Sequence, residues 1–344
     1  MADARTAQLR SLHVLAATLA AAIAFTAAPA AQTRAHKPAA RRPAHRSTRQ
    51  QLPPPLECGD YLSFQVLLDR QGFSPGEIDG KPGANFSHAL AALQDARHLQ
   101  TNGQPDCNTW HALGGDTFGA ALASYTITAS DVKGPFTKRI PAGLDKQARL
   151  PSLGYQSLSE ALAERFHASP ALLHRLNTRV RLAAGATIQV PAVEPFAAAK
   201  KPQPDPDASG LSILVSRDDS ALHVVREDGT TVFFAPVTTG SEHDPLPTGE
   251  WKVTRVYWWP VFHYNPKLFW DAKPADARAT LKAGPNNPVG VAWIGLTLDH
   301  YGLHGTPEPG RVGHAESHGC VRLTNWDVAR VASFATAGTP VIFK

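Results

Sequence analysis

Near the C-terminus, the stretch YGLHGTPEPGRVGHAESHGCVRL, from Tyr301 to Leu323, gathers His304, His314 and His318 around one cysteine, Cys320. A thiol among imidazoles and small residues can be a nucleophile, a metal ligand or an inert core residue. A nucleophile needs a base, a group that orients the base, and donors for the oxyanion. His304 lies 16 positions before Cys320, far enough to return on a neighbouring strand and meet it. Gly305 lets a backbone carbonyl approach that imidazole and fix its tautomer without an acid. The run Ser317-His318-Gly319-Cys320 offers tight-turn amides that can converge beside the thiol. A nearby imidazolium is expected to lower the thiol pKa and raise the thiolate fraction.

Two other chemistries fit less well. Zinc could use His314, His318 and Cys320, but no CxxC or HExxH run supports a metal site. A serine hydrolase would want G-x-S-x-G, whereas Ser317 sits in Ala-Glu-Ser-His-Gly. No metal and no cofactor are expected.

The elements that must position these residues follow Gly210. The run SILVSRDDSALHVVREDGTTVFFAPVTTG alternates apolar and polar residues, with Glu227-Asp228-Gly229 as a hairpin turn. GEWKVTRVYWWP and VAWIGLTL add two further strands. Short strands between Pro/Gly loops predict a mostly β domain, sandwich or barrel, over residues 211–344.

Pro247-Thr248-Gly249 ahead of a strand, AGPNNPVGVAWIGL before YGLHGT, and HGTPEPGRVGHAESHGCVRL together closely resemble the active-site motif of the L,D-transpeptidases of the YkuD family. The resemblance implies that Cys320 is the nucleophile and His304 the proton donor and acceptor, oriented by the Gly305 carbonyl. It implies an oxyanion and substrate-binding turn at Ser317, His318 and Gly319. Arg322 stands where many members carry Asn, and its guanidinium suits a substrate carboxylate. His314 has no counterpart in the motif and is read as a surface residue.

Residues 57–114 show two helical stretches, one with Tyr61, Phe64, Leu67 and Leu68, the other with Leu90, Leu93 and Ala96. Asn108 can cap a third short helix. Gly72-Phe73, Pro75-Gly76, Ile78-Asp79-Gly80, Gly83, Ala89-Leu90, Leu93-Gln94, Leu99, Gly103 and Thr109-Trp110 resemble the three-helix peptidoglycan-binding domain. Residues 153–192 resemble a degenerate LysM module, an α/β unit whose family binds N-acetylglucosamine-containing glycans; its N-terminal strand signal is weak. Residues 115–152 read as a connector. Residues 193–210, with EPFAAAKKPQPDPDASG, read as a linker separating two halves.

The first 30 residues have the anatomy of a secretory signal peptide: Arg5 and Arg10, an apolar run from Leu12 to Phe25, then Ala28-Pro29-Ala30. A mature, soluble protein in the periplasm or cell envelope is expected. Residues 31–56 form a basic, Pro-rich linker in which Arg34, Lys37, Arg41, Arg42, Arg46 and Arg49 meet no acid. Those six charges exceed the net +5 of the whole chain, so the folded remainder is near neutral and nucleic acid is not an expected partner. In an oxidising compartment Cys58 and Cys107 are disulfide candidates, worth roughly 4 kcal/mol on the chain-entropy model. Cys320 is left as a free thiol.

The expected function is peptidoglycan L,D-transpeptidation. A donor tetrapeptide stem forms a thioester with Cys320, and an amine acceptor resolves it, from a second stem or from an envelope protein. Water as acceptor (an L,D-carboxypeptidase) or a catalytically dead wall-binding protein are the alternatives. The enzyme is expected to act as a monomer.

Overall fold

The computed structural model describes residues 54–314 and 319–344. The expected signal peptide, most of the basic linker, and Ser317 and His318 lie outside the described residues. Among those described, no helix is long and apolar enough to cross a membrane.

Three helices open the fold: α1 (Tyr61–Arg70), α2 (Ala84–Ala96) and α3 (Cys107–Ala112). Phe64, Leu67 and Leu68 on α1 pack against Phe86, Ala89, Leu90 and Leu93 on α2. Two buried glutamines tie down the loops. Gln65 Oε1 accepts from the amides of Asp79 and Gly80, and Gln94 Oε1 from those of Asn102 and Gly103. Asp106, not Asn108, caps α3, accepting from Thr109 N–H at 2.8 Å. Asp106 stands at the N-cap spacing from that amide, so α3 begins earlier and places Cys107 in its first turn. Cys107 is bonded to Cys58.

The next unit differs from its expected bounds. Strand β1 (Leu122–Thr126) pairs antiparallel with β2 (Thr187–Pro191), and α6 (Leu158–Arg165) and α7 (Pro170–Leu176) lie between them in the chain. The first strand therefore comes from the stretch read as connector. Its side chains are mostly exposed, so the alternation that marks a strand is missing there, while Ile188 and Val190 of β2 are buried. The rest of that stretch, with the short helices α4 (Ala129–Lys133) and α5 (Leu144–Gln147), is also packed. Ile140, Leu144, Leu150 and Leu153 form a cluster with Phe262, Tyr264, Phe269 and Leu281 of the third unit.

The third unit is built on a curled sheet. Its strands are β3 (Ser212–Ser216), β4 (Ala221–Val225), β5 (Thr231–Pro236), β6 (Gly249–Trp258), β9 (Ala292–Leu296), β10 (Gly302–His304), β11 (Val321–Arg322) and β12 (Pro340–Phe343), in the order β11-β10-β9-β6-β12-β3-β4-β5. A separate hairpin joins β7 (Phe262–Tyr264) to β8 (Ala279–Leu281). Helix α8 (Asn325–Phe334) inserts Val328, Val331 and Phe334 into the same core as Ile213, Val224, Ile294 and Leu303. The two ends of the sheet meet. Thr238, just past β5, exchanges both backbone hydrogen bonds with Arg322 of β11, at 3.0 and 2.9 Å.

The halves predicted as separate belong to one body, which takes in the described residues from Pro54 to Lys344. Strand β5 would be an open edge, and the first unit covers it. Phe234 N–H donates to Gly72 O at 2.8 Å, and Ser74 N–H donates to Phe234 O at 2.9 Å. The Phe234 ring lies inside the helical core beside Phe64 and Leu90. The expected linker is strapped down as well: Phe196 N–H donates to Arg165 O, Asp205 pairs with Arg330, and Trp259 Nε1 donates to Ala198 O.

Because Phe234 belongs to two units at once, Phe234→Ala should destabilise both together, by about 3–5 kcal/mol. Urea unfolding followed by far- and near-UV circular dichroism should remain one coincident transition at a lower midpoint. Early, separate loss of the helical signal would show the units to be independent.

Candidate active site

The side-chain period of two in a strand places the site. On β11, Val321 is fully buried, so Cys320 before it and Arg322 after it face the other way. On β10, Leu303 is fully buried and His304 faces away from that core. The two strands run parallel, with Leu303 opposite Val321 and His304 opposite Arg322. Registered residues share a face, so Cys320, His304 and Arg322 stand on one side of the sheet.

His304 is only 4% exposed. Its Nδ1 lies 2.7 Å from the Gly305 carbonyl oxygen. A carbonyl can only accept, so Nδ1 carries the proton and Nε2 is left as the basic nitrogen. Trp293, opposite His304 on β9, stacks on the ring at 5.4 Å. The Cys320 thiol donates to His300 O at 3.6 Å. Gly319 has a φ of +93°, and a Cβ there would run into the Tyr301 ring. Only glycine fits this turn beside the sulfur.

The electrostatics reverse one expectation. Burial, seconded by the Arg322 guanidinium, pushes His304 down to about 3, against the opposing pull of the Gly305 carbonyl. Burial pushes the Cys320 thiol up, while the Gly302 amide and Arg322 pull it down. At neutral pH the pair is therefore thiol and imidazole, not thiolate and imidazolium. The sequence reading counted an imidazolium near the sulfur but not the cost of burying the charge. Burial also lowers Arg322 itself.

His314 is exposed, six positions before Cys320. Among the described residues, no group of three His, Cys, Asp or Glu side chains converges as metal ligands. Thr238, Trp293, Tyr301 and Asn325 escaped the sequence reading. Strand register and sheet closure bring the first three to the site, and neither leaves a local signal. Asn325 reads as the ordinary start of a helix capped by Thr324.

The YkuD family pattern, described as the L,D-transpeptidase catalytic domain, matches residues 211–343. Those residues are a YkuD L,D-transpeptidase catalytic domain. A peptidoglycan binding domain pattern matches residues 60–113 of the same transpeptidase. Among its relatives, a protein named L,D-transpeptidase YkuD from Bacillus subtilis (strain 168) is 27% identical over 183 residues, covering 53% of this chain and 90% of that protein. Its namesake from Bacillus licheniformis is 25% identical over 185 residues, with the same coverage. A solved L,D-transpeptidase from Mycobacterium smegmatis is 18% identical with a TM-score of 0.32, covering 48% of this chain and 76% of that one.

A neutral pair has a measurable signature in the transpeptidase. Alkylation of Cys320 by iodoacetamide should have its pH midpoint above that of a free cysteine measured alongside. Arg322→Gln removes a cation that favours the thiolate, so its midpoint should move higher still. A wild-type midpoint below the free thiol would contradict the neutral assignment.

Proposed function

We propose that this transpeptidase acts in the cell envelope by a thioester mechanism, with Cys320 as nucleophile and His304 as base and acid. One observation carries the reading: the Gly305 carbonyl holds Nδ1–H, which leaves His304 Nε2 basic on the face that bears Cys320. As Sγ attacks the diaminopimelate carbonyl of a donor tetrapeptide stem, its proton passes to His304 Nε2. The developing negative charge lets a buried imidazole accept it. We assign the oxyanion to backbone amides of the run Ser317-His318-Gly319-Cys320, as the sequence resemblance implies. Collapse breaks the bond to D-alanine, whose amine leaves with the proton from His304, and the thioester remains. An acceptor amine then attacks the thioester, gives a proton to His304, and the C–S bond breaks as that proton returns to sulfur.

Arg322 stands beside both groups with a charge suited to a substrate carboxylate. The peptidoglycan-binding unit raises the effective concentration of polymeric substrate, and the strand–helix–helix–strand unit would do the same if it holds glycan. The signal-peptide anatomy of residues 1–30 supports a periplasmic or envelope location. The acceptor we favour is the diaminopimelate amine of a second stem, giving a 3→3 cross-link.

Expression in a strain stripped of such enzymes, followed by muropeptide analysis, tests this. Wild type should produce 3→3 dimers and Cys320→Ala none. Tripeptide monomers without dimers would assign water as acceptor, and stem peptides on an envelope protein would assign a lysine. An unchanged profile would reject the reading. A carbapenem, whose strained β-lactam carbonyl mimics the acyl donor, should add one covalent mass to wild type and none to Cys320→Ala. His304→Ala should slow that acylation by about 10²–10⁴-fold, the usual cost of losing a general base.

A further inference from the structure

Helix α8 begins with Asn325, whose side chain is fully buried and has every polar group committed. Oδ1 accepts from Val291 N–H at 3.1 Å. Nδ2 donates to the Pro285 carbonyl and to Glu164 Oε1, both at 3.1 Å. The amide is wedged between two glycines, and a Cβ on either Gly290 or Gly305 would overlap Asn325 Oδ1. Gly305 is the residue whose carbonyl holds His304 Nδ1. Any shift of the Asn325 amide therefore passes by direct contact to the group that sets the His304 tautomer.

Glu164 holds this amide from outside the catalytic domain. It sits near the end of α6, 7% exposed, and its Oε1 also accepts from Tyr155 O–H at 2.8 Å. Burial pushes its carboxyl up to about 8, so at neutral pH it is an uncharged hydrogen-bonding group. One turn earlier, Glu160 accepts from Asn286 Nδ2 at 2.6 Å, and Asn286 follows Pro285 in the chain. The i, i+4 spacing puts both carboxyls on one helix face. Together they grip two asparagines behind the active-site histidine. An apolar side chain would fill this seam without desolvating a carboxyl, and what the carboxyl adds is a direction for Asn325.

We propose that Glu164 is a positioning residue for transpeptidation, acting through Asn325 and Gly305 to hold the His304 imidazole in its Nδ1–H tautomer. The module that carries α6 is then part of the catalytic apparatus as well as a neighbour of it. The inference rests on His304 being the base.

The test uses the mature chain with two substitutions: Glu164→Met, which keeps volume and loses the acceptor, and Glu164→Gln, which keeps Oε1. Carbapenem acylation of Cys320 is followed by mass spectrometry, and the His304 ring nitrogens by ¹⁵N NMR. Glu164→Met should slow acylation by about 10–100-fold, the range found for partners that orient metal-bound imidazoles. Its ring should change from one Nδ1–H tautomer to an averaged pair. Glu164→Gln should keep the wild-type spectrum and lose far less rate than Glu164→Met. If Glu164→Met does not fold, Tyr155→Phe loosens Glu164 without touching Asn325, and the same spectral change with a smaller rate loss is expected. An unaltered tautomer and rate in whichever variant folds overturns the proposal. A wild type that takes no carbapenem at Cys320 fails the underlying mechanism instead, so the two failures are distinct.

Discussion

The hydrogen bond between His304 Nδ1 and the Gly305 carbonyl is the constraint around which the rest of the site is arranged. An imidazole buried beside a guanidinium and without a carboxylate partner stays neutral and must spend its N–H on an acceptor, or burial costs about 1–3 kcal/mol. A carbonyl one residue away meets that need without a second acid. It also demands that the backbone at Gly305 be held from behind, and the holding groups are Gly290, Asn325 and the Pro285-Asn286 loop. These lie on two segments distant in sequence, and α6 of the preceding unit closes the ring around them.

Burial decides the protonation of Cys320 as well. An imidazolium beside Cys320 would favour the thiolate, but Arg322 already supplies a positive charge there, and a second one beside it is repelled. The resting site is therefore uncharged at sulfur and imidazole. In the proposed mechanism proton transfer belongs with the bond-making step, where charge separation is offset by the developing oxyanion and its donors. Arg322 has its own fixed place, because its backbone closes the sheet against Thr238.

The same economy shows in the modules. A sheet edge such as β5 invites pairing with other chains, and here the segment Gly72–Ser74 covers it while Phe234 fills the helical core. Wall-binding and catalytic units held this way cannot reorient independently. A fixed geometry between the units favours proximity over reach.

What was legible from residue order is local. Cys320, His304 and Gly305, the β alternation after Gly210, and the helical periodicity around Phe64 and Leu90 were all legible because each depends on nearest neighbours or a short period. The Cys58–Cys107 pairing was readable from the number of cysteines and the expected compartment. Tertiary structure alone decided what depends on register, closure and burial. It took β1 from a stretch whose exposed side chains carry no alternation, and it packed the expected connector and linker onto the body. It made the thiol–imidazole pair neutral because desolvation outweighs the attraction of opposite charges. It also set Glu164, an unremarked residue of an amphipathic helix, behind the active-site histidine some 140 positions away in the chain. No local pattern encodes that distance, because packing between separate elements creates it.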